Sequence, residues 1–139
     1  MQPFLEHVNM TSTNVEATVA FLQTAMPDLR VRGAGTEGAA RSWVHLGTET
    51  SYVAIEDRGA TEKGPHESYV HPGVNHLGFV VEDVTALAER MRGAGYREGM
   101  VNLDHPHRLR YYFFDQDDNE YEFVQYRSAE AAERNDYML

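Results

Sequence analysis

Val74-Asn75-His76-Leu77-Gly78-Phe79-Val80-Val81-Glu82-Asp83-Val84 decides how the chain is read, because the N-terminal stretch Leu5-Glu6-His7-Val8-Asn9-Met10 carries the same pattern in altered form. Each copy sets a histidine inside a strand-like apolar run, follows it with an amide or acidic residue, and then opens an amphipathic helical pattern. Two further segments complete the correspondence. Tyr52-Val53-Ala54-Ile55-Glu56 ends the first copy and Tyr121-Glu122-Phe123-Val124-Gln125 ends the second, each with a glutamate among strand formers. The chain therefore reads as a duplication with a His-and-Glu set in each half at nearly matched spacing. Two like halves meeting across a seam would bring four ligand-type side chains together: His7, Glu56, His76 and Glu122.

A chain of 139 residues is one domain's worth, 1–139, so the halves are expected to share an interior. With 42% hydrophobic and 24% charged residues, the composition is that of a soluble globular protein. No apolar run approaches the roughly 18 residues of a spanning helix, and the N-terminus lacks the plan of a signal peptide, so no membrane association and a cytoplasmic location are expected. The absence of cysteine removes disulfides, thiolate nucleophiles and cysteine-type zinc sites, leaving nitrogen and oxygen to hold any metal. A net charge of −10 argues against nucleic acid, whose affinity comes largely from Lys and Arg, and for a small-molecule substrate.

Residues 1–58 read as a first βαβββ module. Phe4 to Met10 is its first strand, with Leu5, His7 and Asn9 on one face. Asn14 caps a helix whose stripe is Val15, Val19, Leu22 and Met26, stopped by Pro27. A short strand Leu29 to Arg32, a mobile turn from Gly33 to Gly38, a strand Arg41 to Leu46 and a strand Ser51 to Asp57 follow. Residues 59–73 lack sustained period and read as a linker, with a mobile segment over a pocket. The second module, 74–127, repeats the order: strand Asn75 to Val81, cap Asp83, a helix with Val84, Leu87, Ala88 and Met91 inward, strands Tyr96 to Met100, Leu109 to Phe114 and Glu120 to Tyr126. Residues 128–139 form an acidic, helix-prone tail. The fold class is thus α+β, two tandem βαβββ modules forming a shared cleft.

The His-Val-Asn start at His7, the second start at Asn75 to Val84 and the ending Asp115 to Val124 together resemble the vicinal oxygen chelate superfamily, which includes glyoxalase I, methylmalonyl-CoA epimerase, extradiol dioxygenases and the bleomycin and fosfomycin resistance proteins. The ending departs from the usual pattern at Gln116 and Asp118, where Pro and Gly commonly stand. The resemblance implies metal ligands at His7, His76 and Glu122, with Glu56 as a fourth; hairpin gaps leave Ala54 as the alternative to Glu56. It also implies a homodimer. Two imidazoles with one or two carboxylates suit a divalent metal ion such as Ni, Co, Mn, Fe or Zn, with positions left for substrate. Four ligands favour lyase or isomerase chemistry of the glyoxalase I or epimerase kind. There a metal-stabilised enediolate develops while Glu122 or Glu56 acts as the catalytic base. A set of His7, His76 and Glu122 alone resembles the site of an extradiol-type dioxygenase or a fosfomycin-modifying transferase. A metal-free, drug-binding protein of the resistance type is the alternative outside enzymes.

Each candidate also has a plain structural reading. His45 either lines the cleft beside Trp43 or packs. His105 and His107, flanking Pro106, read as solvated. Arg108 and Arg110 read as surface pairs that could instead draw an anionic substrate. Tyr111 to Phe114 read as core and cleft wall.

Overall fold

The computed structural model describes residues 1–36 and 41–138. Two compact units emerge, Met1–Pro65 and His66–Leu139. In the first, β1 (His7–Thr11), α1 (Val15–Ala25), β2 (Arg30–Thr36), β3 (Ser42–Gly47) and β4 (Tyr52–Glu56) build one four-stranded sheet in the order β1-β4-β3-β2. In the second, β5 (His76–Val80), α2 (Val84–Gly93), β6 (Arg97–Asn102), β7 (Arg108–Phe114) and β8 (Glu120–Tyr126) build the same order, β5-β8-β7-β6, ahead of a short α3 (Ala131–Arg134). Each unit is βαβββ in a mixed sheet, as the duplication predicts. No helix among the described residues is long and apolar enough to cross a membrane.

Alternation along the strands sorts each sheet into two faces. In unit 1, Val53, Ile55 and Leu46 point to the side of α1 and are buried with Phe21, Leu22 and Ala25. In unit 2, Leu109, Tyr111, Phe113, Tyr121 and Phe123 do the same beneath α2, which contributes Val84, Leu87, Ala88 and Met91. Burying each such side chain stabilises the unit by about 1.5–3 kcal/mol. Both helices start where the sequence places their caps. Asn14 Oδ1 accepts from Ala17 N at 3.0 Å, and Asp83 Oδ1 accepts from Ala86 N at 2.9 Å. The stripe of α1 differs from the expected one: Thr18, Phe21 and Ala25 are buried while Val19 and Met26 are only half-buried. Thr18 tolerates this because its hydroxyl lies 2.8 Å from Ser12 Oγ.

Four other expectations change. The segment Gly33-Ala34-Gly35, expected as a turn, is the middle of β2, paired with His45, Val44 and Trp43. The remainder of that expected turn, 37–40, lies outside the described residues. Glycine serves here because the Trp43 indole lies over the strand. A Cβ on Gly35 would stand 2.9 Å from Trp43 Nε1, whereas one on Gly33 would meet the ring at an ordinary 3.5 Å. The linker expected over 59–73 is also only partly free, since Tyr69 N donates to Asn75 Oδ1 at 2.7 Å and its hydroxyl reaches β5 and β8. His105, expected in solvent, is buried. His107 N donates to its Nδ1 at 3.1 Å, so Nε2 carries the proton and donates to Asp136 O at 3.0 Å. Arg108 is buried too, donating to the carbonyls of Arg134 and Asp136 in the tail.

The turn before β8 is held by one buried carboxylate. Asp115 Oδ1 accepts from the amides of Asp117 and Asn119 at 2.9 and 3.0 Å, and Oδ2 accepts from Asn119 Nδ2 and Tyr121 OH at 3.0 and 3.1 Å. Asp118 stands in the left-handed region, φ 57°, the conformation glycine adopts most readily, and its side chain pairs with Arg97. Burial pushes the Asp115 carboxyl above its ordinary range despite the four donors. A pKa raised in the folded state means that Asp115 contributes most below its unfolded value, about 3.9, and that this contribution is lost as pH rises through the folded value.

Two outcomes follow for stability. Gly35→Ala is expected to destabilise by about 1–3 kcal/mol through overpacking against Trp43, while Gly33→Ala stays within about 1 kcal/mol of neutral; urea unfolding of both variants checks the contrast. Asp115→Asn keeps an acceptor for the two amides and never ionises. Its unfolding free energy relative to wild type should therefore climb as pH rises from the unfolded value, about 3.9, through the raised folded value, and a flat or falling difference would contradict the assignment.

Candidate metal centre

Parallel pairing of the first and last strands positions the chemistry in each unit. In unit 2, His76 lies opposite Glu120 and Gly78 opposite Glu122, so His76, Glu120 and Glu122 share the sheet face turned away from α2. From β7, Arg110, Tyr112 and Phe114 join that face. Gly78 leaves the space between the histidine and Glu122 open, since a Cβ there would meet only Glu122 Oε2, at 3.8 Å.

The result is a tight donor pair. His76 Nε2 and Glu122 Oε2 are 3.1 Å apart, with side chains 31% and 14% exposed. The other ring nitrogen, Nδ1, is 2.9 Å from Tyr69 OH, whose oxygen is also 2.5 Å from Glu120 Oε2. A phenol has one proton, and at that distance from a carboxylate it is directed to Glu120. The phenol oxygen can then only accept from His76 Nδ1–H, and Nε2 faces the Glu122 carboxylate oxygen. A nitrogen and a carboxylate oxygen this close share either a proton or a cation, and by chemistry the pair could supply two ligands to a divalent ion. Loss of water around the Tyr69 hydroxyl, with Glu120 adding, pushes its pKa up to about 12, so it remains a phenol. Burial, reinforced by a hydrogen bond to Glu122, raises Tyr112 as well. Arg110 Nη1 is 3.8 Å from Glu122 Oε1, and its Nε is buried without a hydrogen-bond partner among the described residues.

Unit 1 repeats the frame with different contents. His7 lies opposite Tyr52 and Asn9 opposite Ala54. The position equivalent to Glu122 is therefore Ala54, and Glu56 lies two residues further along β4, opposite Thr11. Between the pairing positions of His7 and Glu56 are about 13 Å of strand. The Glu56 carboxylate is already engaged: Asn9 Nδ2 donates to Oε1 at 2.7 Å and Arg58 Nη2 lies 2.5 Å from Oε2. The Asn9 amide and then the Arg58 guanidinium hold its carboxyl below the usual range. His7 Nδ1 is 2.8 Å from Glu6 Oε2, which again leaves Nε2 for another partner. Its ring stacks on Tyr52 at 4.8 Å, Tyr52 on His45 at 4.8 Å, and His45 meets Trp43 at 4.9 Å, so His45 belongs to an aromatic row on this face. Arg32, at the β2 bulge, covers Tyr52 at 4.4 Å.

Within either unit, among the described residues, no three His, Asp or Glu side chains gather to hold an ion; unit 2 offers two donors and unit 1 one. Sequence reading named His7, His76 and Glu122 but missed Tyr69, Glu120 and Glu6. For Glu6 the signal was its adjacency to His7; for Tyr69, seven residues ahead of His76 in an aperiodic stretch, the sequence carried none.

No curated protein matches the chain. Solved structures do. A glyoxylase/bleomycin resistance protein/dioxygenase domain from Frankia sp. EAN1pec superposes with a TM-score of 0.71 at 21% identity, covering 91% of this chain and 100% of that one. The fosfomycin resistance protein FosX from Listeria monocytogenes, complexed with Mn(II) and sulfate, gives 0.70 at 18% identity over 96% and 98%. A glyoxalase I mutant from Zea mays gives 0.71 at 13% identity, covering 86% of this chain and 43% of that one. At such identities these likenesses speak for the fold alone. The sequence profile matching residues 4–123 is that of the Glyoxalase/Bleomycin resistance protein/Dioxygenase superfamily, and the chain belongs to it.

Proposed function

We propose that this chain is a divalent-metal-dependent enzyme acting on a small, oxygenated, anionic substrate, with His7, His76 and Glu122 as ligands. The observation that carries the reading is the His76–Glu122 pair, an imidazole nitrogen and a carboxylate oxygen 3.1 Å apart. His7, with Nδ1 tied to Glu6, is the third ligand, from the same chain or from a second copy in a homodimer. Nitrogen and oxygen donors of this kind suit Mn, Fe, Co, Ni or Zn, and the Mn(II) of the Listeria FosX complex supports the choice of class. Bound there, the ion supplies a Lewis acid for a substrate oxygen.

The chain's own residues would do the rest. Tyr112 fixes the orientation of Glu122 through their hydrogen bond. Arg110, whose Nη1 is 3.8 Å from Glu122 Oε1, attracts negative charge on the substrate. Glu56 is a poor fourth ligand and a weak base, since both its oxygens are taken and its anion is favoured. The three-ligand set therefore has more support than the four-ligand set expected for glyoxalase-type lyase or isomerase chemistry. Its greater coordination room suits a substrate with two adjacent oxygens. The same two-His, one-carboxylate composition is the one used by non-haem iron oxygenases, so an extradiol-type dioxygenase is the second reading.

Untagged protein titrated with Mn²⁺ is expected to bind one equivalent. Binding should be lost in His76→Ala and Glu122→Gln, weaken by about 10-fold or more in His7→Ala, and persist in Glu56→Gln. A wild type that binds no Mn²⁺, Fe²⁺, Co²⁺, Ni²⁺ or Zn²⁺ would instead make the chain a metal-free ligand-binding protein. Oxygen consumption with a catechol by the Fe²⁺-loaded protein, absent with Mn²⁺, would select the dioxygenase.

A further inference from the structure

We infer that the cavity where β3 begins and β4 ends in unit 1 is a binding site for a small planar aromatic carboxylate, with the Trp43 indole as its stacking surface and Arg41 and Arg58 as partners of the anion. None of these three belongs to the proposed metal set, so the site stands or falls apart from that reading. The pairing register sets the place. Trp43 lies opposite Glu56 on one side and Gly35 on the other, while Arg41 comes just before β3 and Arg58 two residues after β4. Arg41, Trp43, Glu56 and Arg58 line a cavity of about 190 Å³.

The indole is seated on the sheet rather than buried in a core. Glycine weakens a strand interior and marks a close approach, and β2 sets two of them beneath the ring: a Cβ on Gly35 would stand 2.9 Å from Trp43 Nε1 and 3.0 Å from Cε2 and Cζ2. The indole is half-buried, resting on the glycines and bordering the cavity. His45, tilted by 54° at 4.9 Å, closes its flank. Charge is the second, independent feature. Glu56 accepts from Asn9 Nδ2 at 2.7 Å and pairs with Arg58 Nη2 at 2.5 Å. The Asn9 amide first, then Arg58 and Arg41, hold its carboxyl below the usual range, so it stands as an anion. The next carboxylate, Asp57, is turned to the Gly59 amide, whose N–H donates to Oδ1 at 2.7 Å. Two guanidiniums thus meet one carboxylate at the cavity, an excess of positive charge on a chain whose net charge is −10. A guanidinium carries five N–H donors, so pairing with Glu56 leaves Arg58 others for a second carboxylate. An inorganic anion would use the arginines and waste the indole, and a neutral arene would do the reverse. An aromatic acid uses both.

Benzoate titrated into the untagged full chain by calorimetry tests the site, with the emission of Trp43, the sole tryptophan of the sequence, reporting where it binds. A saturable isotherm is expected, with the emission changing along it. Cyclohexanecarboxylate, which keeps the charge and loses the flat ring, should bind about 2- to 10-fold more weakly. Benzamide, which keeps the ring and loses the charge, should bind about 10-fold more weakly or worse, and Arg41→Gln should weaken benzoate by about 10-fold. Trp43→Leu should bring benzoate down to the level of cyclohexanecarboxylate. Because Arg41→Gln leaves the indole seated, the site is tested even where Trp43→Leu destabilises unit 1. No saturable binding of benzoate, binding that leaves the Trp43 emission unchanged, or equal affinity for wild type and Arg41→Gln overturns the proposal. Mn²⁺ titrated into the same samples reads the metal separately: benzoate bound without Mn²⁺ keeps this site and sinks the metal reading, and Mn²⁺ bound without benzoate does the opposite.

Discussion

Backbone hydrogen bonds between β5 and β8 run in the parallel sense, and that ladder fixes which side chains of unit 2 become neighbours. A parallel partner cannot be reached by a tight hairpin, so the chain must leave the sheet through a helix and return by way of two more strands. The crossover by α2 buries one face of the sheet and leaves the other for polar groups. Because the ladder sets Glu122 two residues beyond the partner of His76, one pleat repeat brings nitrogen and carboxylate oxygen together without any unusual backbone in either strand. Unit 1 has the same ladder, and so places His7 by the same rule.

The fold was legible because its signals are periodic and local. Caps at Asn14 and Asp83, the stripe of α2 and the alternation of β8 each depend on residues a few positions apart, and each stands where the sequence put it. The errors arose where a distant side chain decides. Gly33 and Gly35 read as turn residues because their use, making room for Trp43, involves another strand. His105 reads as solvated until the tail carbonyl of Asp136 reaches it. The choice between Ala54 and Glu56 needs the pairing register, which alternation cannot supply since both point to the same face.

That register also separates the two units chemically. The face of unit 1 carries a continuous row of rings, Trp43, His45, Tyr52 and His7, with an arginine over Tyr52. Its carboxylate accepts from the Asn9 amide and pairs with the Arg58 guanidinium. The face of unit 2 carries two carboxylates, Glu120 and Glu122, with a phenol and an imidazole between them. One duplicated scaffold therefore presents a flat, apolar-rich wall on one sheet and a concentration of oxygen donors on the other.

The histidines share one further property that their sequences do not. His7 is held at Nδ1 by the residue immediately before it, and His76 by a tyrosine from a separate segment, itself held by a third residue. The groups differ and the geometry is the same, an oxygen facing Nδ1 and the ring turned so that Nε2 points elsewhere, which for His76 is to Glu122. The duplication supplied the strand positions, and each unit anchors its ring with different local chemistry.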